Sequence, residues 1–319
     1  MVTFVLVAVL AGALAALIDA SYRRDIRAAR GRVAAGGRIV QTASGPIEYA
    51  EIGEGPPILL VHGAGGGYDQ GLDLGVPLAN SGFRVIAVSR FGYLRTPLPA
   101  DASAAAQAEA HAALLDALKI ERAAIMGASA GAPSTMQFAL RHADRCSALV
   151  LLVPAAYVPR AGNEPSVRTP ARTTFLFGTA LKYDFLFWVA LRYFRSTAVR
   201  SILGTPPAVL DNASVAERAR VDDVLQHILP VSSRRLGLLN DAAVISSLRR
   251  YDLERISVPT LAISVADDLY GTFDGARYTA EHIPRARFIG FPSGGHLCVG
   301  HQEAVAAEIA AFLKQQDSS

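Results

Sequence analysis

The hydrophobic and polar positions change rhythm several times along the chain. Val2 to Ile18 is apolar throughout except for Thr3. As a helix it would span about 26 Å at about 1.5 Å per residue, just short of a hydrocarbon core of about 30 Å; extension to Ala20 closes the gap. Gly31 to Gly37 is small and flexible in composition and reads as a linker. Arg38–Thr42 and Ile47–Ile52 alternate around a Ser44-Gly45-Pro46 turn, which predicts an antiparallel hairpin at a sheet edge. Continuous apolar runs follow at Pro57–Val61 and Ala148–Val153, the pattern of strands buried on both faces, and Arg84–Ser89 and the apolar residues from Ile125 into Ser129 read as further buried strands. Between them, Ala102–Leu118 carries Ala110, Leu114, Leu115 and Leu118 at helical spacing. Ala130 to about His142 reads as a helix with Pro133 in its first turn, where proline is tolerated.

From Ala155 to Tyr251 no strand pattern appears. Helices are expected around 180–195, 214–229 and 234–250, with aromatic clusters at Thr174–Phe177 and Tyr183–Trp188. Strand–helix alternation then resumes. It comprises a strand at Pro259–Val265, a helix at Thr272–His282, a strand at Arg287–Phe291 and a terminal amphipathic helix, Gln302–Lys314, with Val305, Ile309, Phe312 and Leu313 inward. The implied fold class is α/β: a mostly parallel central sheet with helices on both faces, an inserted helical cap and an N-terminal apolar helix. The corresponding division is 1–20 as a transmembrane anchor, 21–37 as a basic juxtamembrane linker, 38–154 and 252–319 as the core, and 155–251 as the cap.

Charge sharpens the N-terminal reading. The chain carries 31 basic and 28 acidic residues, and residues 1–37 alone hold five arginines against Asp19 and Asp25, leaving 26 of each sign elsewhere. The folded body is therefore neutral and gives no footprint for nucleic acid. All five arginines follow the apolar run and none precedes it, which by the positive-inside rule puts the folded body on the cytoplasmic side of a single-pass anchor. A cleaved signal peptide with an exported body is the alternative, although Ile18-Asp19-Ala20 is a poor cleavage site and no basic n-region exists. A buried helix of the fold is the third reading. Cys146 and Cys298 are the only cysteines, so no disulfide framework or zinc-type spacing arises, and no metal or cofactor is implied.

Candidate chemistry lies at strand ends. Gly127-Ala128-Ser129-Ala130-Gly131 follows an apolar strand and opens a helix, so it reads as G-x-S-x-G on a strand-to-helix turn. His62-Gly63-Ala64-Gly65-Gly66-Gly67 follows Val61. Its backbone N–H groups would suit a developing negative charge; a plain tight turn is the bland alternative. A phosphate cradle lacks the Lys-Ser/Thr it would need. His62 itself reads as a hydrogen-bonded structural group. Ala266-Asp267-Asp268 follows a later strand, and Gly294-Gly295-His296 follows the last one. In a parallel sheet these ends lie at one edge, where ligands bind.

With these residues in order, the chain resembles the α/β-hydrolase superfamily, in its cap-containing serine esterase and lipase-like branch, over about residues 38–315. The resemblance implies a Ser129–His296–Asp268 triad. The family's aspartate lies three residues after a glycine that ends its strand. Val265 holds that place here, which points to Asp268, with Asp267 as the fallback. Ser89 departs from the aspartate that relatives often place before the aromatic-Gly turn. The resemblance also implies oxyanion donors at the Ala130 N–H and the Ala64 N–H, with Gly65 as the other loop donor. The expected activity is cleavage of a carboxylic ester, with a hydrophobic acyl or lipid-like substrate. The same triad acting on an amide, peptide or carbon–carbon bond, or in perhydrolysis, is the alternative. A membrane-tethered binding protein with a vestigial triad is a third reading. An epoxide or haloalkane hydrolase would need an aspartate where Ser129 stands.

Overall fold

The computed structural model describes residues 2–159 and 181–317. Thr174–Phe177, one of the aromatic clusters singled out in the sequence, lies outside the described residues. The first element is a long helix, α1 (Val2–Ala35), followed by the hairpin β1 (Arg38–Thr42) and β2 (Gly45–Ile52). Next come β3 (Pro57–Val61), α2 (Tyr68–Asn80), β4 (Arg84–Val88), α3 (Ala104–Ala117) and β5 (Ala123–Ala128). A single 3-10 turn at Ser129–Gly131 leads into α4 (Ala132–Arg141) and β6 (Cys146–Leu152). The inserted region supplies α5 (Asp184–Tyr193), α6 (Arg195–Ile202), α7 (Pro207–Asp211), α8 (Val215–His227) and α9 (Arg235–Ser246). The chain closes with β7 (Thr260–Val265), α10 (Thr272–His282), β8 (Ala286–Phe291) and α11 (Gln302–Asp317).

The strands form one eight-stranded sheet in the order β1-β2-β4-β3-β5-β6-β7-β8. β2 pairs antiparallel with both its neighbours, and every pairing from β4 to β8 is parallel. Two cores follow from the period-2 alternation of the strands. Leu59, Val61, Ile125, Leu149 and Leu151 face α3, α4 and α10, whereas Ile58, Leu60, Met126, Val150 and Ile263 face α2 and α11. Sequence order reverses between β3 and β5, and it is at such a switch point that open α/β sheets bind ligands.

Apart from the two short cap helices α6 and α7, which the sequence reading did not name, the structure differs from it at two places. The first is the linker. Helix α1 does not stop at Gly31 but runs to Ala35. Its second half buries Ile26 and Ala29, with Tyr22 packed beside them, against Trp188, Leu191 and Val199 of the cap. The Tyr68 hydroxyl closes its end, donating to the Arg32 and Val33 carbonyls (3.1 and 3.0 Å) and accepting from the Gly36 N–H at 3.2 Å. Tertiary packing and a side-chain cap thus carry the helix through a composition that alone suggests flexibility. The second is α2, which no helical pattern announced. It holds Gly71, Gly75 and Pro77. The glycines face β4 so closely that a Cβ would stand 2.8 Å from Ala87 Cβ at Gly71 and 2.6 Å from Val85 Cγ1 at Gly75. Glycines, which weaken an isolated helix, are here what lets this helix lie against the sheet.

Candidate active site

Ser129 sits at the C-terminal end of β5 with φ +48°, a left-handed conformation that a serine rarely adopts. The flanking glycines make the turn feasible. A Cβ at Gly127 would lie 2.3 Å from Thr135 Oγ1, and one at Gly131 would lie 2.5 Å from the Val61 carbonyl oxygen. The adjacent strand end, Gly63, would bring a Cβ to 3.1 Å from Ser129 Cβ. The serine and the glycine loop therefore meet at the point where strand order reverses.

His296 and Asp268 arrive from the ends of β8 and β7. Asp268 Oδ2 accepts from His296 Nδ1 at 2.8 Å, so the other ring nitrogen, Nε2, presents its lone pair to the Ser129 hydroxyl at 2.8 Å. The Asp268 side chain is fully buried and His296 is nearly so. Two further donors orient the carboxylate: the Tyr270 N–H to Oδ1 at 2.8 Å, and the Thr272 hydroxyl to Oδ2. Asp267 has a different position. Its Oδ1 accepts from the Gly295 N–H at 2.7 Å and so fixes the loop that carries His296. The Tyr270 ring stands edge-on to the imidazole with centroids 4.9 Å apart, while its hydroxyl donates to the Ile202 carbonyl at 2.8 Å. Burial pushes that phenol up to about 12, so it stays protonated.

The glycine loop is held by buried polar groups. His62 Nδ1–H donates to the Gly63 carbonyl at 2.7 Å and Nε2 accepts from the Arg90 N–H at 3.1 Å. Burial, reinforced by the Arg90 charge, holds His62 well below the ordinary histidine range, so it is a neutral structural group. The Arg90 guanidinium donates to the His62 and Gly63 carbonyls at 2.9 and 3.2 Å and makes a two-pronged pair with Asp241 of α9 at 2.6 and 2.7 Å. Tyr93 donates to Asp241 at 2.5 Å and accepts from the Gly65 N–H at 3.2 Å. The Gly65 donor is therefore committed, while Ala64 next to it is exposed. Ala130 is the second residue of the 3-10 turn that begins at Ser129, in a first turn whose backbone donors have no partner within the helix. Ala64 thus follows Gly63, the loop residue that lies beside Ser129, and Ala130 follows the serine itself.

Cap residues close over this edge. The turn after α6 lies against the loops that carry Asp268 and His296, its Gly204 carbonyl accepting from the Leu269 N–H at 2.9 Å and from the His296 N–H at 3.4 Å. A Cβ on Gly65 would touch Ile228 and Leu238 of the cap at 3.6 and 3.9 Å. Among the described residues no cluster of His, Cys, Asp and Glu is arranged to hold a metal ion. Sequence reading missed Arg90, Tyr93, Asp241, Tyr270 and Thr272. None belongs to a short motif, and they share only proximity in the fold.

A family model described as the alpha/beta hydrolase fold matches residues 56–299. A 2-hydroxymuconate semialdehyde hydrolase of Pseudomonas putida is 34% identical over 299 residues, covering 88% of this chain and 95% of that protein. An uncharacterized hydrolase of Bacillus subtilis is 26% identical over 282 residues, covering 84% and 94%. Among solved structures, an alpha/beta hydrolase fold protein from Nakamurella multipartita superposes with a TM-score of 0.67 at 26% identity, covering 88% of this chain and 99% of that one. The strand order, the position of Ser129 at the switch point and these matches together place the chain in the α/β-hydrolase family, as a hydrolase.

Proposed function

We propose that the protein is a serine hydrolase that cleaves a carboxylic ester through an acyl-enzyme. The observation that carries this reading is the pair of 2.8 Å contacts linking Ser129 Oγ to His296 Nε2 and His296 Nδ1 to Asp268. A serine hydroxyl is a weak nucleophile until a base takes its proton. In the proposed cycle His296 Nε2 accepts that proton as Oγ adds to the ester carbonyl. Asp268 holds the tautomer and stabilises the imidazolium. The Ala64 and Ala130 N–H groups receive the oxyanion. Collapse expels the alcohol, which takes the proton from His296, and water repeats the sequence to release the acid. Ile228 and Leu238 over the glycine loop, and the apolar α1, support a hydrophobic acyl or lipid-like substrate.

A fluorophosphonate probe tests the nucleophile. It should add one phosphonyl mass to the wild type and none to Ser129→Ala; a variant still labelled would overturn the assignment. A second reading keeps the three residues and changes the bond to an amide, peptide or carbon–carbon bond, or to perhydrolysis. The 34% identical relative favours keeping it, since the name of its substrate contains no ester. A panel of aryl esters, anilides and vinylogous ketones separates the two readings by relative kcat/KM.

For location, the reading is a single-pass anchor at 1–20 with the core (38–154 and 252–319) and cap (155–251) in the cytoplasm. The support is a helix whose apolar half is wholly unburied. Export after signal cleavage is the alternative. A C-terminal reporter active only in the cytoplasm should be active, and activity of a periplasmic reporter alone would reverse the orientation.

A further inference from the structure

Helix α1 changes character at Ile18. Up to Leu17 it is exposed on all sides and apolar, and beyond Ile18 one stripe docks on the cap. Because the helix is continuous, whatever holds its first half fixes the orientation of the body joined to its second half. The joint is made of aromatic rings. Tyr22 meets Phe185 at 5.1 Å and Trp188 at 5.7 Å, Phe185 stacks on Trp188 at 6.1 Å, and Tyr193 meets Trp188 at 6.1 Å. The Trp188 indole N–H donates to Asp25 of α1 at 2.9 Å. Around this joint the cap exposes Tyr183, Phe185, Leu186, Tyr193 and Phe194, each at least 41% exposed, although apolar groups of this size usually find cover.

Depth along the helix identifies what covers them. Tyr22 lies four residues past Ile18, which is about 6 Å along a helix axis. The polar layer between hydrocarbon and water is about 5–8 Å thick on each side of a bilayer. Tyr22 and the rings against it therefore fall within the headgroup layer when the apolar half spans the hydrocarbon. Amphipathic rings favour that layer. Arg23, Arg24 and Arg27 are exposed on the same stretch of α1; Arg23 pairs with Asp19 and Arg24 with Asp25. Their surplus charge suits anionic phosphates.

We propose that the cap face formed by Tyr183, Phe185, Leu186, Tyr193 and Phe194 lies in the headgroup layer of an anionic phospholipid bilayer, so that the catalytic body is seated on the membrane instead of swinging from a tether. The cap that rests there is the same one that overlies His296 through Gly204. This deepens the lipid-like substrate reading and rests on the anchor reading above.

The test uses the full chain on a Ser129→Ala background, so it needs no turnover. Cys146 and Cys298 are buried, which leaves introduced cysteines as the labelling sites. Leu186→Cys, Phe194→Cys and, as a control at the opposite edge of the sheet, Lys119→Cys each receive an environment-sensitive fluorophore. Each labelled chain is then reconstituted into vesicles of phosphatidylcholine and phosphatidylglycerol, with and without a headgroup spin-labelled lipid. Labels at 186 and 194 should shift to the blue and lose fluorescence to the spin label, while the label at 119 should do neither. Vesicle flotation and intact mass confirm that α1 is present and inserted. Labels at 186 and 194 as solvent-exposed as the one at 119 in floating vesicles would overturn the proposal, and so would a chain that does not float. Hydrolysis of a soluble aryl ester by the wild type, measured in parallel, reports on the ester reading independently.

Discussion

Removing the Asp241 carboxylate should destabilise the protein and slow its chemistry from a distance. Asp241 lies on a cap helix, and its two oxygens hold the Arg90 guanidinium and the Tyr93 hydroxyl. Both charged side chains are about 5% exposed, at 6% and 5%. Asp241→Ala therefore leaves a buried cation without its partner, which costs about 3–5 kcal/mol. Replacing the pair together, as Arg90→Met with Asp241→Leu, removes the stranded charge. What remains is the loss of Arg90's bonds to the His62 and Gly63 carbonyls and of the acceptor for the buried Tyr93 hydroxyl, at about 1–3 kcal/mol each. The double variant should thus cost clearly less than the sum of the two single substitutions. Urea unfolding at constant detergent reads this directly as midpoint shifts at unchanged slope. The milder Asp241→Asn should keep the fold and lower kcat with little change in KM, because Arg90 and Tyr93 hold the loop that carries Ala64. A loss below about 1 kcal/mol in Asp241→Ala, or additive single effects, would refute the coupling between cap and loop.

Three further outcomes follow from the site. Gly131→Ala would place a Cβ 2.5 Å from the Val61 carbonyl oxygen, so it should cost about 1–3 kcal/mol and abolish fluorophosphonate labelling; normal labelling with an unchanged Tm would refute the packing argument. Asp268→Asn should cut kcat by about 10⁴-fold, whereas Asp267→Asn keeps an acceptor for the Gly295 N–H and should lose less than about tenfold; equal losses in steady-state assays would undo the distinction. His111 is fully buried and burial lowers it from 6.5 to about 3, so below about pH 6.5 the unfolded chain takes up a proton that the folded chain refuses. That stability is complete above about pH 6.5 and falls as the solution is acidified, by about 2 kcal/mol at pH 5, and His111→Gln should flatten this slope in unfolding titrations; an unchanged slope would refute the assignment.

The sheet was legible because parallel strands buried on both faces leave continuous apolar runs, as at Pro57–Val61 and Ala148–Val153. Ser129 and Asp268 each follow such a run, at β5 and β7, whereas His296 follows the partly exposed edge strand β8 and was marked by the Gly294-Gly295-His296 turn after it. The spacing after Val265 points to Asp268, with Asp267 as the fallback, and the structure turns the two carboxylates to different partners. The two are adjacent, and only their opposite directions separate a partner of His296 from a partner of Gly295. Ser89 departs from the expected aspartate, and the structure supplies a carboxylate from elsewhere. Glu48 is fully buried, accepts from the Ser89 hydroxyl at 3.1 Å and from the Arg95 N–H at 3.0 Å, and so occupies that turn from β2. Helix α2 escaped because close approach to β4 demands glycines, and glycines erase the periodicity that reveals a helix. The Arg90–Asp241 pair joins residues 151 positions apart and carries no local pattern.

The end of α1 shows what that missing long-range information does to a domain boundary. Composition puts the start of the folded body near residue 38. In the structure, Arg32 and Arg234 both pair with Asp69 at the start of α2, Arg32 also donates to the Leu229 carbonyl at 2.7 Å, and Arg234 bonds the Gly66 carbonyl of the glycine loop. Burial pushes the Asp69 carboxyl up, and the Arg234 guanidinium with its neighbours more than offsets this, holding it below the ordinary carboxylate range. Ile26 and Ala29 are 6% and 7% exposed against the cap. A chain begun at residue 38 loses the Ile26 side chain from the cap core, a loss of about 1.5–3 kcal/mol for full burial of a residue of that size. It also loses one of the two cations on Asp69, and it opens the seat of Tyr22 beside Trp188. A chain begun at Asp19 keeps all three and sheds only the exposed apolar half. The two truncations should therefore differ by several kcal/mol, with the longer one unfolding at a clearly higher temperature in calorimetry and retaining fluorophosphonate labelling. Equal midpoints would mean that the second half of α1 is a passive linker, and the cap would then have to be regarded as stable without it.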